Sequence, residues 1–309
     1  MIVVKIKTYV WQMIGVVGVV FWCVSFINTP SFPTLDRLVF LLVFSFMIFR
    51  QGLEAIKRFL PFVALILVYE SFRSIADKLN TYVNYTLAPH FDKALFGNLP
   101  TVYLQNWLWR GHVMWYDYTF YIAYMCHFIL PLVLGVLVWK TREKYYWQVM
   151  WTYIVVSFAG FLTFLIFPAA PPWLASQNHY IQPIVRISSE VWASLGIKDF
   201  PSFYEHVAPN SVAAIPSLHA AWAALLFIFV FKLYGRRWGL LAAVYPLLIF
   251  VGTVYEGDHY AFDVLLGVIY ALGAYYATPY LISLAKKVLN ASGLTEFRNR
   301  KLQRHTSKS

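Results

Sequence analysis

Two short stretches concentrate the chemistry this sequence could do. One is Asn210-Ser211-Val212-Ala213-Ala214-Ile215-Pro216-Ser217-Leu218-His219, and the other is Glu256-Gly257-Asp258-His259-Tyr260-Ala261-Phe262-Asp263; each leads into an apolar run. His259 and Asp263 are four residues apart, which places them on one face of a helix. A carboxylate one turn from an imidazole can accept its ring N–H, fixing the tautomer and leaving the other nitrogen free to attack. Pro216 suits the first turn of a helix, where its missing N–H costs nothing. Ser217 and His219 then stand near a helix N-terminus, whose partial positive charge and free N–H groups favour an anion such as phosphate. Two imidazoles and a carboxylate brought together suit phosphoryl transfer. One His would be the nucleophile, oriented by Asp263, and the other the acid that protonates the leaving oxygen.

The elements that must position these residues are membrane helices. The chain has 309 residues, 60% hydrophobic and only 13% charged, where a soluble protein is about a quarter charged. Aromatics at 19% suit a chain with two membrane–water interfaces to line. This composition excludes a soluble domain, a disordered chain and a fibrous fold. Cys23 and Cys126, both in apolar runs, offer no disulfide or metal framework. A helix needs about 20 mostly apolar residues to span the hydrocarbon core. Eight candidates occur, at roughly 8–27, 38–49, 59–72, 117–139, 145–167, 217–231, 238–255 and 260–285. The first has the charged start of a signal peptide, but no small-x-small cleavage site follows it, so it reads as a retained span. The expected fold is an all-α polytopic membrane helix bundle forming a single domain over 1–309, with N-terminal spans at about 8–72.

The net charge of +11 is an orientation signal. With eight alternating spans, residues 1–7, 50–58, 140–144, 232–237 and 286–309 share one side and contain 18 of the 25 Lys and Arg. The positive-inside bias puts that side, with both termini, in the cytoplasm. The basic tail 286–309 suits anionic headgroups or plain solvation, and no nucleic-acid partner is implied. Two long segments, about 73–116 and 168–216, then face outward together with His219, His259 and Asp263. The first mixes Trp107, Trp109, Trp115, Tyr116 and Tyr118 with Arg110, His112 and Asp117, which reads as an interfacial belt.

Pro216-Ser217-Leu218-His219 and His259-Tyr260-Ala261-Phe262-Asp263 resemble the second and third motifs of the type 2 phosphatidic acid phosphatase (PAP2) superfamily. The resemblance implies a catalytic core at about 117–285. It also implies that His259 attacks phosphorus to form a phosphohistidine, that Asp263 supports it and that His219 protonates the leaving group. Two positions depart from that pattern. The family's Ser-Arg pair falls at Gly252-Thr253, and the Lys-x6-Arg-Pro motif has no counterpart, since the chain contains no Arg-Pro dipeptide. In this the sequence resembles the inositol phosphorylceramide synthase (aureobasidin-resistance type) branch of lipid phosphotransferases. Phe167-Pro168-Ala169-Ala170-Pro171-Pro172-Trp173, Asp92 to Gly97 and Tyr124 to Phe128 are similar to that branch as well.

The missing basic motif leaves the phosphate clamp to be assigned. Arg186, at a place where the branch has a basic residue, is the candidate, since a guanidinium holds two phosphate oxygens at once. The alternative is a loop arginine on lipid headgroups or on Glu190. Ser217 could add a hydroxyl or N–H to the same phosphate, or simply start a helix. Trp173 is a candidate wall of the lipid groove, in a segment whose prolines end the preceding helix. Glu70, Arg73 and Asp77 follow helical spacing and read as a salt-bridged face, and His127 as a hydrogen-bonded core residue. The function so implied is phosphotransfer at the outer leaflet, from a phospholipid or polyprenyl phosphate to a lipid or polyol hydroxyl. With water as acceptor it becomes a lipid phosphate phosphatase. Neither a metal nor a cofactor is called for. A lipid transporter is the rival class, disfavoured because the ionisable cluster lies at one face and not at the midplane.

Overall fold

The computed structural model describes residues 2–28, 35–49, 51–195 and 210–292. Most of the basic tail and part of the second outward segment, His206 included, lie outside the described residues. Among the described residues fourteen α-helices follow one another: α1 (Ile2–Asn28), α2 (Leu35–Ile48), α3 (Gly52–Leu79), α4 (Leu87–Phe96), α5 (Pro100–Leu108), α6 (Trp115–Met125) and α7 (Ile129–Thr141), then α8 (Tyr146–Ile166), α9 (Pro172–Gln177), α10 (Ile187–Ser194), α11 (Leu218–Tyr234), α12 (Arg236–Ala242), α13 (Val244–Tyr255) and α14 (Ala261–Ala291). The described residues form no strand beyond two isolated bridges, Asn84 to Ala169 and Ala169 to Ala213. The fold is all-α, as the sequence predicts.

Among the described residues, length and apolar composition qualify fewer spans than eight. Glu143–Ile166, Arg236–Tyr255 and Ala261–Val288 are long and apolar enough to cross a membrane. A fourth results if α6 and α7, bent by 55° at their junction, count as one span. The predicted run 117–139 is thus two helices. The third predicted span, 59–72, belongs to a 28-residue helix carrying seven charged residues, and α2 has only 14 residues. Large apolar side chains such as Phe21, Ile166 and Tyr276 are more than 70% exposed. Such a surface belongs in lipid, and the chain is an integral membrane protein.

The interior lies where α3, α8, α11 and α14 pack on one another, around Phe59, Phe62, Ile66, Tyr146, Met150, Tyr153, Trp222 and Leu225. In lipid, such packing rests on van der Waals contact and interhelical hydrogen bonds. Three of the short basic segments meet at one end of this bundle. Arg58 pairs with Glu143, Lys140 donates to the Gln51 side chain, and the hydroxyls of Thr141 and Tyr234 are 2.6 Å apart. At the far end of α3, about 33 Å on from Arg58 at 1.5 Å per residue, Asn80 Nδ2 donates to Leu165 O. There the Asn84–Ala169–Ala213 bridges gather the connecting segments. The residues picked out for chemistry lie at this second end, where α13 stops and α11 and α14 begin.

Candidate active site

The site is built on the start of α14. Glu256-Gly257-Asp258 reverses the chain after α13, with Gly257 at φ +79°, a conformation side-chain-bearing residues rarely adopt. The first N–H groups of α14 have no intrahelical partners, and two carboxylates take them. Asp263 Oδ2 accepts from Tyr260 N at 2.9 Å, while Asp92, from α4, accepts from Ala261 N at 2.9 Å and Phe262 N at 3.0 Å. The same Asp263 Oδ2 stands 3.5 Å from His259 Nδ1. Asp263 is fully buried and His259 nearly so. With Nδ1 turned to the carboxylate, Nε2 is the nitrogen left for chemistry.

The start of α11 is locked against this helix. Ser217 is its N-cap, its Oγ accepting from Ala220 N at 3.3 Å and its N–H donating to Asp263 O at 3.0 Å. Pro216 therefore precedes the cap instead of occupying the first turn, because the serine hydroxyl takes the capping position. The close approach needs Gly267, since a Cβ there would sit 2.3 Å from the Ser217 carbonyl oxygen. One residue past Leu218, the His219 ring lies 5.7 Å, centroid to centroid, from that of His259. Tyr124 stacks on His219 at 4.1 Å, and His127 lies 4.5 Å from it. His127 in turn stacks on Trp222, whose Nε1 donates to Ser157 Oγ.

Arg186 approaches from the loop before α10. Its Nε donates to Asp258 Oδ1 at 3.2 Å, and its guanidinium lies 4.2 Å over the Trp173 ring. Among the described residues its ion-pair partner is Asp258 and not Glu190. Gln105 fixes this loop, donating to Val185 O and Tyr255 O and accepting from Val185 N. Trp173 N donates to Gly257 O, which ties the proline-rich segment to the same turn. Burial pushes the Glu256 carboxyl well above the ordinary range, with Asp258 and Asp117 adding to the shift. Asp258 is the turn's ion-pair partner for Arg186.

A buried imidazole–carboxylate pair facing a second imidazole, with an arginine on the residue before the pair, has the groups that phosphoryl transfer would use. Comparison with known proteins agrees: the sequence profile of the PAP2 superfamily matches residues 89–277, more than half of the chain. The chain belongs to the PAP2 superfamily. The profile spans α4 to α14, so it takes in Asp92 as well as both histidine motifs. The chain is also 35% identical, over 162 residues, to a protein of Bacteroides thetaiotaomicron named phosphoinositol dihydroceramide synthase. That match covers 49% of this chain and 52% of the relative, so the chain spans about half the length of the curated relative it matches. No solved structure matches the chain.

Within this PAP2 fold, His219, His259, Asp263 and Ser217 come together, and Arg186 and Trp173 stack beside them. Ser217 Oγ caps α11 and its N–H bonds to Asp263 O, so in this structure its contacts are positioning ones. Asp117, read as part of an interfacial belt, is fully buried, accepting from Tyr255 Oη at 2.6 Å. It fastens α6 to the end of α13. His127 was expected as a hydrogen-bonded core residue. Its Nδ1 has no hydrogen-bond partner among the described residues, and it borders His219. Asp92 and Tyr124 begin the two stretches similar to the synthase branch, which gave neither residue a role, and Gln105 lies in no motif, its signal being only an amide in apolar surroundings.

Asp92 supports a prediction. Burial raises its pKa from 3.8 to about 6, outweighing the two N–H bonds that favour the carboxylate. The folded state therefore holds this proton more tightly than the unfolded chain does. The associated stability is fully present below pH 3.8 and is lost as pH rises through 6. Asp92→Asn, neutral throughout, is expected to show a flatter fall of Tm between pH 4.5 and 7 than the parent. Parallel Tm profiles in detergent would contradict the assignment. Asp92→Ala, leaving both N–H groups unmet, is expected to cost about 1–3 kcal/mol near neutral pH.

Proposed function

We propose that this protein is a membrane-embedded lipid phosphotransferase that moves a phospho-head group from one lipid to the hydroxyl of another through a phosphohistidine on His259. The observation that carries the reading is His259 Nδ1 held against Asp263 Oδ2, with His219 across from it. In the first step His259 Nε2 attacks the donor phosphorus, the bond to the donor's lipid oxygen breaks, and His219 gives that oxygen a proton. In the second, the acceptor hydroxyl attacks the same phosphorus, His219 takes back a proton, and the N–P bond breaks, restoring both histidines. Arg186 neutralises phosphate charge, and Trp173 beneath it walls the lipid groove. The gathering of basic loops at the opposite end of the bundle supports an outward-facing site and cytoplasmic termini.

The relative's name supplies the first substrates to try: a phosphoinositol lipid as donor and dihydroceramide as acceptor. Purified protein in bilayers would receive head-group-labelled phosphatidylinositol, with and without dihydroceramide. The expected result is a labelled sphingolipid formed only when the acceptor is present. Water-soluble inositol phosphate or free phosphate as the sole labelled product would replace the transferase reading with a hydrolase.

A further inference from the structure

We propose that Arg73, on α3, is a second phosphate-binding residue of this site and completes with Arg186 the clamp whose usual motif positions are absent from the chain. The inference rests on the phosphotransfer reading above and adds a residue to it. By sequence, Arg73 belongs to a helical run with Glu70 and Asp77 and reads as surface ion pairing. The ion pair exists: Arg73 Nε donates to Glu70 Oε2 at 2.9 Å. Its setting is not a solvated face. The two side chains are 18% and 12% exposed, on the stretch of α3 that reaches the end of the bundle where the histidines lie.

Two further observations place Arg73 at the site. Asn210 Nδ2 donates to Arg73 O at 2.8 Å, and its Oδ1 accepts from Val212 N, so this turn of α3 is tied to the strand of chain that delivers Ser217 and His219. Asn210 stands seven residues before Ser217, the N-cap of α11, and His219 follows two residues later. A permanent cation beside an imidazole that must carry a proton is unfavourable in a poorly solvated setting. A phosphate anion between them turns that repulsion into two attractions. Arg73 and Arg186 are held alike, each by a carboxylate at Nε, on α3 and on the loop before α10. A phosphate drawn to His259 and His219 would then meet a guanidinium from each side, and fork-shaped donors suit its oxygens.

Inorganic phosphate is the probe for the full chain in lipid-free detergent, with binding followed by thermal shift. The panel is wild type, Arg73→Gln, Arg73→Lys and Glu70→Gln. Loss of one charge-assisted contact is expected to weaken phosphate binding about 10- to 100-fold in Arg73→Gln. Arg73→Lys restores part of it, because a point charge returns without the fork. Glu70→Gln breaks the same ion pair but keeps the guanidinium, so it should bind phosphate within a few-fold of wild type. Equal losses in Arg73→Gln and Glu70→Gln would show that only the ion pair matters and overturn the proposal. So would unchanged binding in Arg73→Gln, or no phosphate binding by wild type. The head-group transfer assay separates the two readings. Arg73-dependent phosphate binding without transfer sinks the phosphotransferase and leaves the clamp. Transfer that is equal in wild type and Arg73→Gln does the reverse.

Discussion

A His259→Gln protein is expected to lose head-group transfer by on the order of 10⁴-fold or more while remaining folded. The size follows from what His259 supplies. Covalent catalysis divides one difficult displacement into two easier ones, and no neighbouring group can stand in for the nitrogen that forms the bond. Glutamine keeps a polar side chain of moderate size near Asp263, so the cap on Tyr260 N can survive, and α14 should still start where it does. The direct readout is the intermediate. Donor labelled in its phospho-head group, mixed with wild type and quenched rapidly, should leave acid-labile label on the protein. The glutamine variant should show none. Asp263→Asn is expected to lose less, because the imidazole remains and only its tautomer and orientation are disturbed. Label bound to His259→Gln at wild-type level would move the nucleophile elsewhere.

How far the sequence led depends on whether a relationship is local. His259 and Asp263 are one helical turn apart, and a helix converts that spacing into contact whatever surrounds it. His219 was placed beside them by motif and sidedness, and the structure sets the two rings 5.7 Å apart. Arg73 and Asp92 could not be read in the same way. The contacts that bring them to the site lie more than a hundred residues away, at Asn210 and at Ala261 and Phe262; locally, Arg73 shows only an ion pair with Glu70, and the stretch from Asp92 to Gly97 shows a family likeness without a role for its acid. Gly267 is similar: its need to be glycine comes from a carbonyl fifty residues earlier. The span count shows the converse difficulty. Apolar composition runs unbroken through residues 117–139, but the chain turns by 55° there. His127 lies in that turn, with its ring against His219. A hydropathy average registers the apolar run and misses the bend, because the bend is paid for by tertiary contacts.

His219 yields the second large effect, and the leaving group diagnoses it. In the proposed first step the departing oxygen belongs to a lipid alcohol, whose alkoxide is a poor leaving group unless a proton arrives as the bond breaks. His219→Ala should therefore slow transfer from a phospholipid by about 10²- to 10⁴-fold, the usual range for a positioned acid. The same variant tested with a p-nitrophenyl phosphodiester donor should lose far less of the first step, because the phenolate departs without needing that proton. Release of p-nitrophenol in the first turnover, followed by stopped flow, measures this step apart from the second. The variant also removes the ring that stacks on Tyr124 and borders His127, so a general loosening of the site is the competing explanation. Loosening would slow both donors alike. A large loss with the lipid donor and a small one with the aryl donor assigns His219 as the acid. Equal losses would reduce it to a packing residue and leave the proton to be supplied by another group.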